Sequence, residues 1–300
     1  MTKLARRLAG VLCVGLFPAC APSGPAREHV EALFALDSKR VPIPPASPAV
    51  VALGAELFRR GCQSCHDLAS HGQDGKNHQA SRTSSQPARN TPTVYDAARQ
   101  VAHGWDGTVS DLGKLVRREL ALRLDLHDDA DVVAWARRAV PSANPTTQEE
   151  VTRTLLGFLC TLRSVGRWDR YVEGDDSELS PAERAGARTF LDLGCAACHG
   201  GRNLGGGSAH KLGATHPYPS SDLGRAGLTQ RDEDRFVFRA PMLRRVAHTG
   251  PYLHDGSVPT LDAMIRLMAW HELGKEVTDE QVAAVGAFLR AVGDLETPPK

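Results

Sequence analysis

Three hundred residues leave room for two ordinary domains. Lys and Arg number 36 against 35 Asp and Glu, a net charge of +1, so no global field draws the chain to nucleic acid or to an anionic membrane surface, and nucleic acid is excluded as a partner. Seven cysteines are far too few for a disulfide scaffold of this length.

The chain opens with Lys3, Arg6 and Arg7, followed by an apolar run from Leu8 to Phe17 that is too short to anchor stably across a bilayer. Residues 1–21 therefore read as a signal peptide, and the mature chain as periplasmic. Two processing readings stand side by side. Ala19-Cys20-Ala21 resembles a small-residue cleavage site that frees a soluble protein; Leu16 to Cys20 loosely resembles a lipobox, in which case a lipid on Cys20 is the chain's one tie to a membrane.

Ser47-Pro48 is an N-cap with proline at the first helical position, and Gly54-Ala55-Glu56-Leu57-Phe58 leads from it to Cys62-Gln63-Ser64-Cys65-His66. The stretch from Ser70 to Pro87 is polar and reads as a loop. Thr147-Gln148-Glu149-Glu150 caps a helix whose apolar face runs through Leu155, Leu156, Phe158, Leu159 and Leu162 to Gly166. Cys160, within that run, is expected to be a buried free thiol. Arg167 to Ser177 is charged and reads as a link.

The pattern then repeats. Ser180-Pro181-Ala182-Glu183 is a capping box, and Gly186-Ala187-Arg188-Thr189-Phe190 leads to Cys195-Ala196-Ala197-Cys198-His199. Thr278-Asp279-Glu280-Gln281 opens a last helix through Val282, Val285, Phe288 and Leu289 to Gly293. Each closing glycine suits a C-cap, each half keeps a long irregular middle, and no alternating strand pattern of any length is present.

C-x-x-C-H is the attachment motif of c-type haem: two thiols add across the vinyl groups, and the histidine that follows ligates the iron. A zinc cluster needs four compact ligands, and a redox C-x-x-C favours a βαβ setting. Two repeats in an exported chain predict two haems c, held by Cys62, Cys65 and His66 and by Cys195, Cys198 and His199. The fold expected is mainly α, with two cytochrome c-like domains over 28–165 and 166–300, each with one covalently bound haem. Met242, Met264 and Met268 are the candidate sulfur ligands in the second half.

The run from Phe238 to Leu261, with Pro241-Met242-Leu243-Arg244 and Tyr252-Leu253-His254-Asp255-Gly256, resembles the second domain of bacterial di-haem cytochrome c peroxidases and their MauG relatives. So do Leu179 to Arg184, Arg89-Asn90-Thr91-Pro92-Thr93-Val94 and Trp105-Asp106-Gly107. The resemblance implies peroxide reduction at the first haem, with electrons from a small cytochrome c or a cupredoxin passing through the second. It implies Met268 as the distal ligand of the second haem, and Trp105 between the haems. Asn90, with the main-chain oxygens of Thr249 and Pro251, falls where the family binds calcium, and family members are commonly homodimers. An oxidase of a partner protein, as in the MauG relatives, is an alternative that Met268 argues against.

Around the first haem the sequence departs from the family. Counting from His66 to Asn90, the displaceable distal histidine falls on Arg82, with His78 and His71 as substitutes. The distal glutamine aligns with Leu115 and the distal glutamate with Asp125, while Thr108 replaces the arginine after Trp-Asp-Gly. Asp125, Trp105 and Arg82 are the candidate catalytic residues, with Glu119 the fallback carboxylate. These losses keep a non-catalytic di-haem electron carrier open as the rival reading.

Overall fold

A computed structural model describes residues 46–74 and 88–294. The leader, Cys20, His78 and Arg82 lie outside the described residues. Nine α-helices are present among the described residues: α1 Pro48–Gly61, α2 Leu112–Leu124, α3 Asp129–Ala139, α4 Gln148–Leu159, α5 Arg167–Glu173, α6 Pro181–Leu193, α7 Ala226–Thr229, α8 Leu261–Leu273 and α9 Asp279–Gly293. Two three-residue strands, β1 Ala209–Lys211 and β2 Val237–Arg239, pair antiparallel with Ala209 opposite Arg239.

The helix starts follow their caps. Ser47 Oγ accepts from the Val50 N–H ahead of Pro48, and Ser180 and Thr278 form reciprocal capping boxes with Glu183 and Gln281. The ends do not follow the expected glycines. Helix α4 stops at Leu159 with Cys160 as its C-cap, and Gly166 instead begins α5 in extended geometry. Gly293 is the last helical residue of α9, where a Cβ would come within 3.1 Å of Arg245 Cα. Cys160 is a free thiol, but it is only half-buried.

Each half closes by packing its first helix on its last, α1 on α4 and α6 on α9. The repeated glycine explains why this works twice. A Cβ on Gly54 would collide with the Thr154 carbonyl, and one on Gly186 with the Ala284 carbonyl. Only glycine lets the two backbones approach this closely. Leu57, Phe58, Val151, Leu155 and Phe158 fill the first core, and Phe190, Val285, Phe288 and Leu289 the second.

Two segments read as irregular are helical. In the first half α2 and α3 bury Leu120, Val132 and Ala136 against α4. The charged stretch after Gly166 is likewise a packed element: α5 buries Trp168 and Tyr171 in the second core, and its Asp169 points into the contact between halves.

That contact is built on buried arginines. Arg244, 1% exposed, binds Asp169 Oδ2 at 2.6 Å and the Ser164 carbonyl at 2.7 Å, and Asp96 of the first half accepts from the Ser164 N–H at 3.0 Å. Arg89 forks onto Asp222 at 2.7 and 2.9 Å and reaches Asp106 at 3.0 Å. Charge-assisted forks of this kind fix orientation as well as energy.

Two expectations follow. Gly186→Ala should lower stability by about 1–3 kcal/mol through overpacking, outweighing its gain in helix propensity; urea unfolding checks it, and an unchanged midpoint would show that the helices can part cheaply. The second concerns acid. Burial alone would raise the Asp106 and Asp222 carboxyls, but the Thr108 hydrogen bonds on Asp106 and the Arg89 guanidinium beside both hold them below the usual range. Depressed folded-state values give stability that is full above the unfolded value of about 3.9 and lost as pH falls through the folded value. Unfolding midpoints between pH 7 and pH 3 should therefore drop only at the acid end. Arg89→Met should cost about 3–5 kcal/mol at neutral pH and flatten that acid limb.

Candidate functional site

The second cysteine loop begins where α6 ends. Gly194 takes a left-handed turn with φ 97°, Cys195–Ala197 make one 3-10 turn, and the His199 N–H returns to the Cys195 carbonyl at 3.0 Å. The His199 ring is half-buried, with Nδ1 3.0 Å from the Pro241 carbonyl. A carbonyl cannot donate, so Nδ1 carries the proton and Nε2 keeps its lone pair. Burial pushes the imidazole down to about 4. It is therefore neutral at physiological pH, as a metal ligand must be.

Cys195, Cys198, His199, Met264 and Met268 line one mostly apolar cavity of about 240 Å³. Met264 and Met268 stand one turn apart on α8 and pack near Tyr252 and Leu253. Met242 also lines this cavity, but its sulfur accepts from Gln100 Nε2 at 3.4 Å. An apolar chamber holding two thiols, a neutral imidazole and thioethers fits a c-type haem.

The first loop repeats the pattern with different supports. Cys62 caps α1, the His66 N–H returns to Cys62 O at 2.9 Å, and His66 Nδ1 lies 3.1 Å from the Gly72 carbonyl. Burial again lowers the imidazole. Cys62 packs against the first core, as do Leu68, Val94, Tyr95 and Trp135. The leading thiols Cys62 and Cys195 are pushed up by burial to about 12 and about 11. Redox C-x-x-C pairs work with lowered thiols, so this environment opposes the thioredoxin-like reading. Nor do three His, Cys, Asp or Glu side chains gather as a metal cluster among the described residues.

The residues carried over for proton transfer do not assemble as counted. Asp125 is the C-cap of α2 in a left-handed conformation with φ 59°, and this turn sends its carboxylate outward. Its side chain is 79% exposed and pairs with His127 Nε2 at 3.0 Å. Glu119, six residues earlier in α2, is the α2 carboxylate whose charge acts on Cys62 and His66; it accepts from Arg123 Nε at 3.2 Å. Thr108 is exposed and bound to Asp106, and Leu115 is half-buried. His71 is engaged between the halves: its ring stacks on His248 at 4.7 Å, and its Nδ1 accepts from Arg245 Nη2 at 2.8 Å.

Trp105 lines the second-loop cavity, donates from Nε1 to the Asn90 carbonyl at 2.7 Å and meets the His254 ring edge-on. Asn90 is buried. Its N–H donates to His254 O at 2.6 Å, and its Nδ2 lies 2.6 Å from Pro251 O. Its Oδ1 is buried with no partner. A half-turn of this amide would aim that oxygen at the Pro251 carbonyl, an arrangement that only a cation between them makes favourable. Of the groups expected at the calcium site, the Nδ2 contact brings the Asn90 amide and the Pro251 carbonyl together. Gln73 was missed by sequence reasoning. It is 4% exposed, donates from Nε2 to Gly250 O at 3.1 Å, and leaves its own Oε1 buried and unpaired. Nothing in a polar loop sequence distinguishes it from a solvated glutamine.

Residues 48–177 match the family model described as di-haem cytochrome c peroxidase. The chain is 31% identical to the cytochrome c551 peroxidase of Pseudomonas aeruginosa over 77% of this chain and 72% of the relative. It is 30% identical to the methylamine utilization protein MauG of Methylorubrum extorquens over 85% and 82%. Its fold resembles the crystal structure of a MauG-like protein associated with microbial copper homeostasis, with a TM-score of 0.64 at 23% identity over 85% of this chain and 92% of that one. With its two Cys-x-x-Cys-His loops and these relatives, the chain belongs to the di-haem cytochrome c peroxidase family.

Proposed function

We propose that the protein is a periplasmic di-haem peroxidase that reduces hydrogen peroxide to water at the His66 loop, drawing electrons through the His199 loop from a small cytochrome c or a cupredoxin. The observation that carries this is the cavity shared by Cys195, Cys198, His199 and Met268 with Trp105 in its wall. When bound, the two haems supply the redox chemistry; the chain supplies everything else. Burial disfavours the charged form of His66 and His199, and the Gly72 and Pro241 carbonyls fix the tautomer that leaves Nε2 free as a ligand. Met268 offers a thioether, which suits electron transfer rather than the high oxidation states of a MauG-like oxidase.

Peroxide cleavage needs a group that takes one proton and returns it to the leaving oxygen. Glu119, facing the first loop electrostatically, suits that role better than solvent-exposed Asp125. Asn90, Thr249 and Pro251 would hold calcium between the halves, proposed as domains over 28–165 and 166–300, and a homodimer is the proposed assembly. A second reading, a di-haem electron carrier, is favoured by Thr108 and Leu115, which offer no proton-transfer group in α2 or ahead of it.

Stopped-flow absorbance of the haem-loaded, one-electron-reduced protein mixed with hydrogen peroxide decides between them. Rapid oxidation with stoichiometric peroxide loss is expected, slowed about 10²-fold or more by Glu119→Gln and unaffected by Asp125→Asn. Unchanged spectra over seconds, with normal electron exchange at the Met268 haem, would leave the carrier. For the cation, calorimetric titration should show one calcium site that Asn90→Leu abolishes; binding that survives the substitution would move the site elsewhere.

A further inference from the structure

The buried arginines between the halves are not equally satisfied. Arg89 has Asp106 and Asp222, and Arg244 has Asp169 with Asp96 nearby. Arg239 is 5% exposed, yet among the described residues it makes no ion pair. Its Nε donates to the Gly104 carbonyl at 2.9 Å, and its Nη1 to Gln100 Oε1. Both acceptors are neutral. Burial pulls the guanidinium down to about 10, and Asp106 is the carboxylate that offsets this. Arg245 also makes no ion pair among the described residues, but Asp96 offsets its burial and its charge lies 3.9 Å over the Tyr95 ring and against His71. Arg239 has no such cover. It lines the same cavity as Cys195, His199 and Met268.

A buried cation without an anion is strongly disfavoured unless an anion arrives with something that binds there. Haem c carries two propionates that are ionised at neutral pH, and a guanidinium is the side chain best shaped to meet a carboxylate. Lys211 lines the cavity too, but it is exposed and water already solvates it. We propose that Arg239 is the counter-ion of a propionate on the haem held by Cys195, Cys198 and His199, and that it fastens this haem edge to Trp105. The fastening is visible in the backbone. The Arg239 N–H donates to the Trp105 carbonyl at 2.7 Å, while its guanidinium holds the carbonyl of Gly104, the residue before. Strand β2 fixes the donor by pairing Arg239 with Ala209. A positive charge beside a haem edge opposes the extra positive charge of ferric iron, so Arg239 holds the potential of this haem up. It is a positioning and tuning residue.

The proposal rests on haem attachment at Cys195 and Cys198, which mass measurement of that peptide tests separately; a wild-type peptide without the haem mass would sink that reading and the role of Arg239 with it. With haem present, spectropotentiometry of the holoprotein should show the second haem's potential falling in Arg239→Gln by at least a tenfold change in its redox equilibrium, about 59 mV for one electron. The first haem should not move, and Arg239→Lys should restore most of the loss. A fully loaded Arg239→Gln protein with both potentials at wild-type values would overturn the proposal. If Arg239→Gln does not mature, infrared difference spectra of wild type and Arg239→Lys carrying ¹³C-labelled propionates decide. A labelled carboxylate band that shifts between the two supports the pairing, and identical bands refute it.

Discussion

The rest of the molecule depends on how charge is satisfied in the dry seam between its halves. Ion pairs in water contribute little, but in a seam that excludes water an unpaired partner is costly and a paired one is held in a single geometry. Arg244 shows the consequence. Its guanidinium is 1% exposed and holds both Asp169 and the Ser164 carbonyl, while Asp96 of the first half takes the Ser164 N–H. The link between halves is therefore knotted into both of them. Two haem loops in separate cores thereby acquire a defined relation, and Trp105 and Asn90 inherit fixed positions.

Within each half, one packing problem has been solved twice. A helix that delivers a cysteine loop must lie close to the helix that closes the core, and Gly54 and Gly186 make room at matching places. This was legible in the sequence because the glycine opens a Gly-Ala-x-x-Phe stretch shortly before each C-x-x-C-H, and because the caps Ser47, Ser180 and Thr278 use short-range chemistry. What was illegible has a common cause. Helix α5 looks like a charged linker because Arg167, Asp169, Arg170 and Glu173 surround Trp168 and Tyr171, yet one of those charges serves the seam: Asp169 binds Arg244 and is reached by Arg202. The closing glycines misled for a related reason. Gly166 and Gly293 answer to crowding and to the next element rather than to the end of their own helix.

The site divides along the same line. The two Cys-x-x-Cys-His loops were legible because that motif has a fixed spacing along the chain, whereas Met268 was singled out among three methionines only by the family resemblance. Asp125 was assigned by counting through a helix end, and a left-handed cap after Leu124 turned that residue to solvent, leaving Glu119 as the α2 carboxylate felt at the loop. Gln73 and Arg239 could not be found this way. Their significance lies in a missing partner, and their existing bonds reach residues 177 and 139 positions away.

Those missing partners are of opposite kinds, and both adjoin Trp105. On one side stands Asn90, whose carbonyl holds the indole N–H while its own amide oxygen goes unmatched beside the 249–251 turn. On the other stands Arg239, whose amide holds the Trp105 carbonyl while its guanidinium meets only neutral oxygens. A cation completes the first environment and a carboxylate the second. Under the proposed reading, each bound group tightens a different end of the same tryptophan, so the indole between the two loops is held most firmly only when both sites are filled. Because two ligands that order one element bind more tightly together than apart, cation binding and seating of the second haem edge favour one another. The coupling runs through hydrogen bonds already present on either side of Trp105.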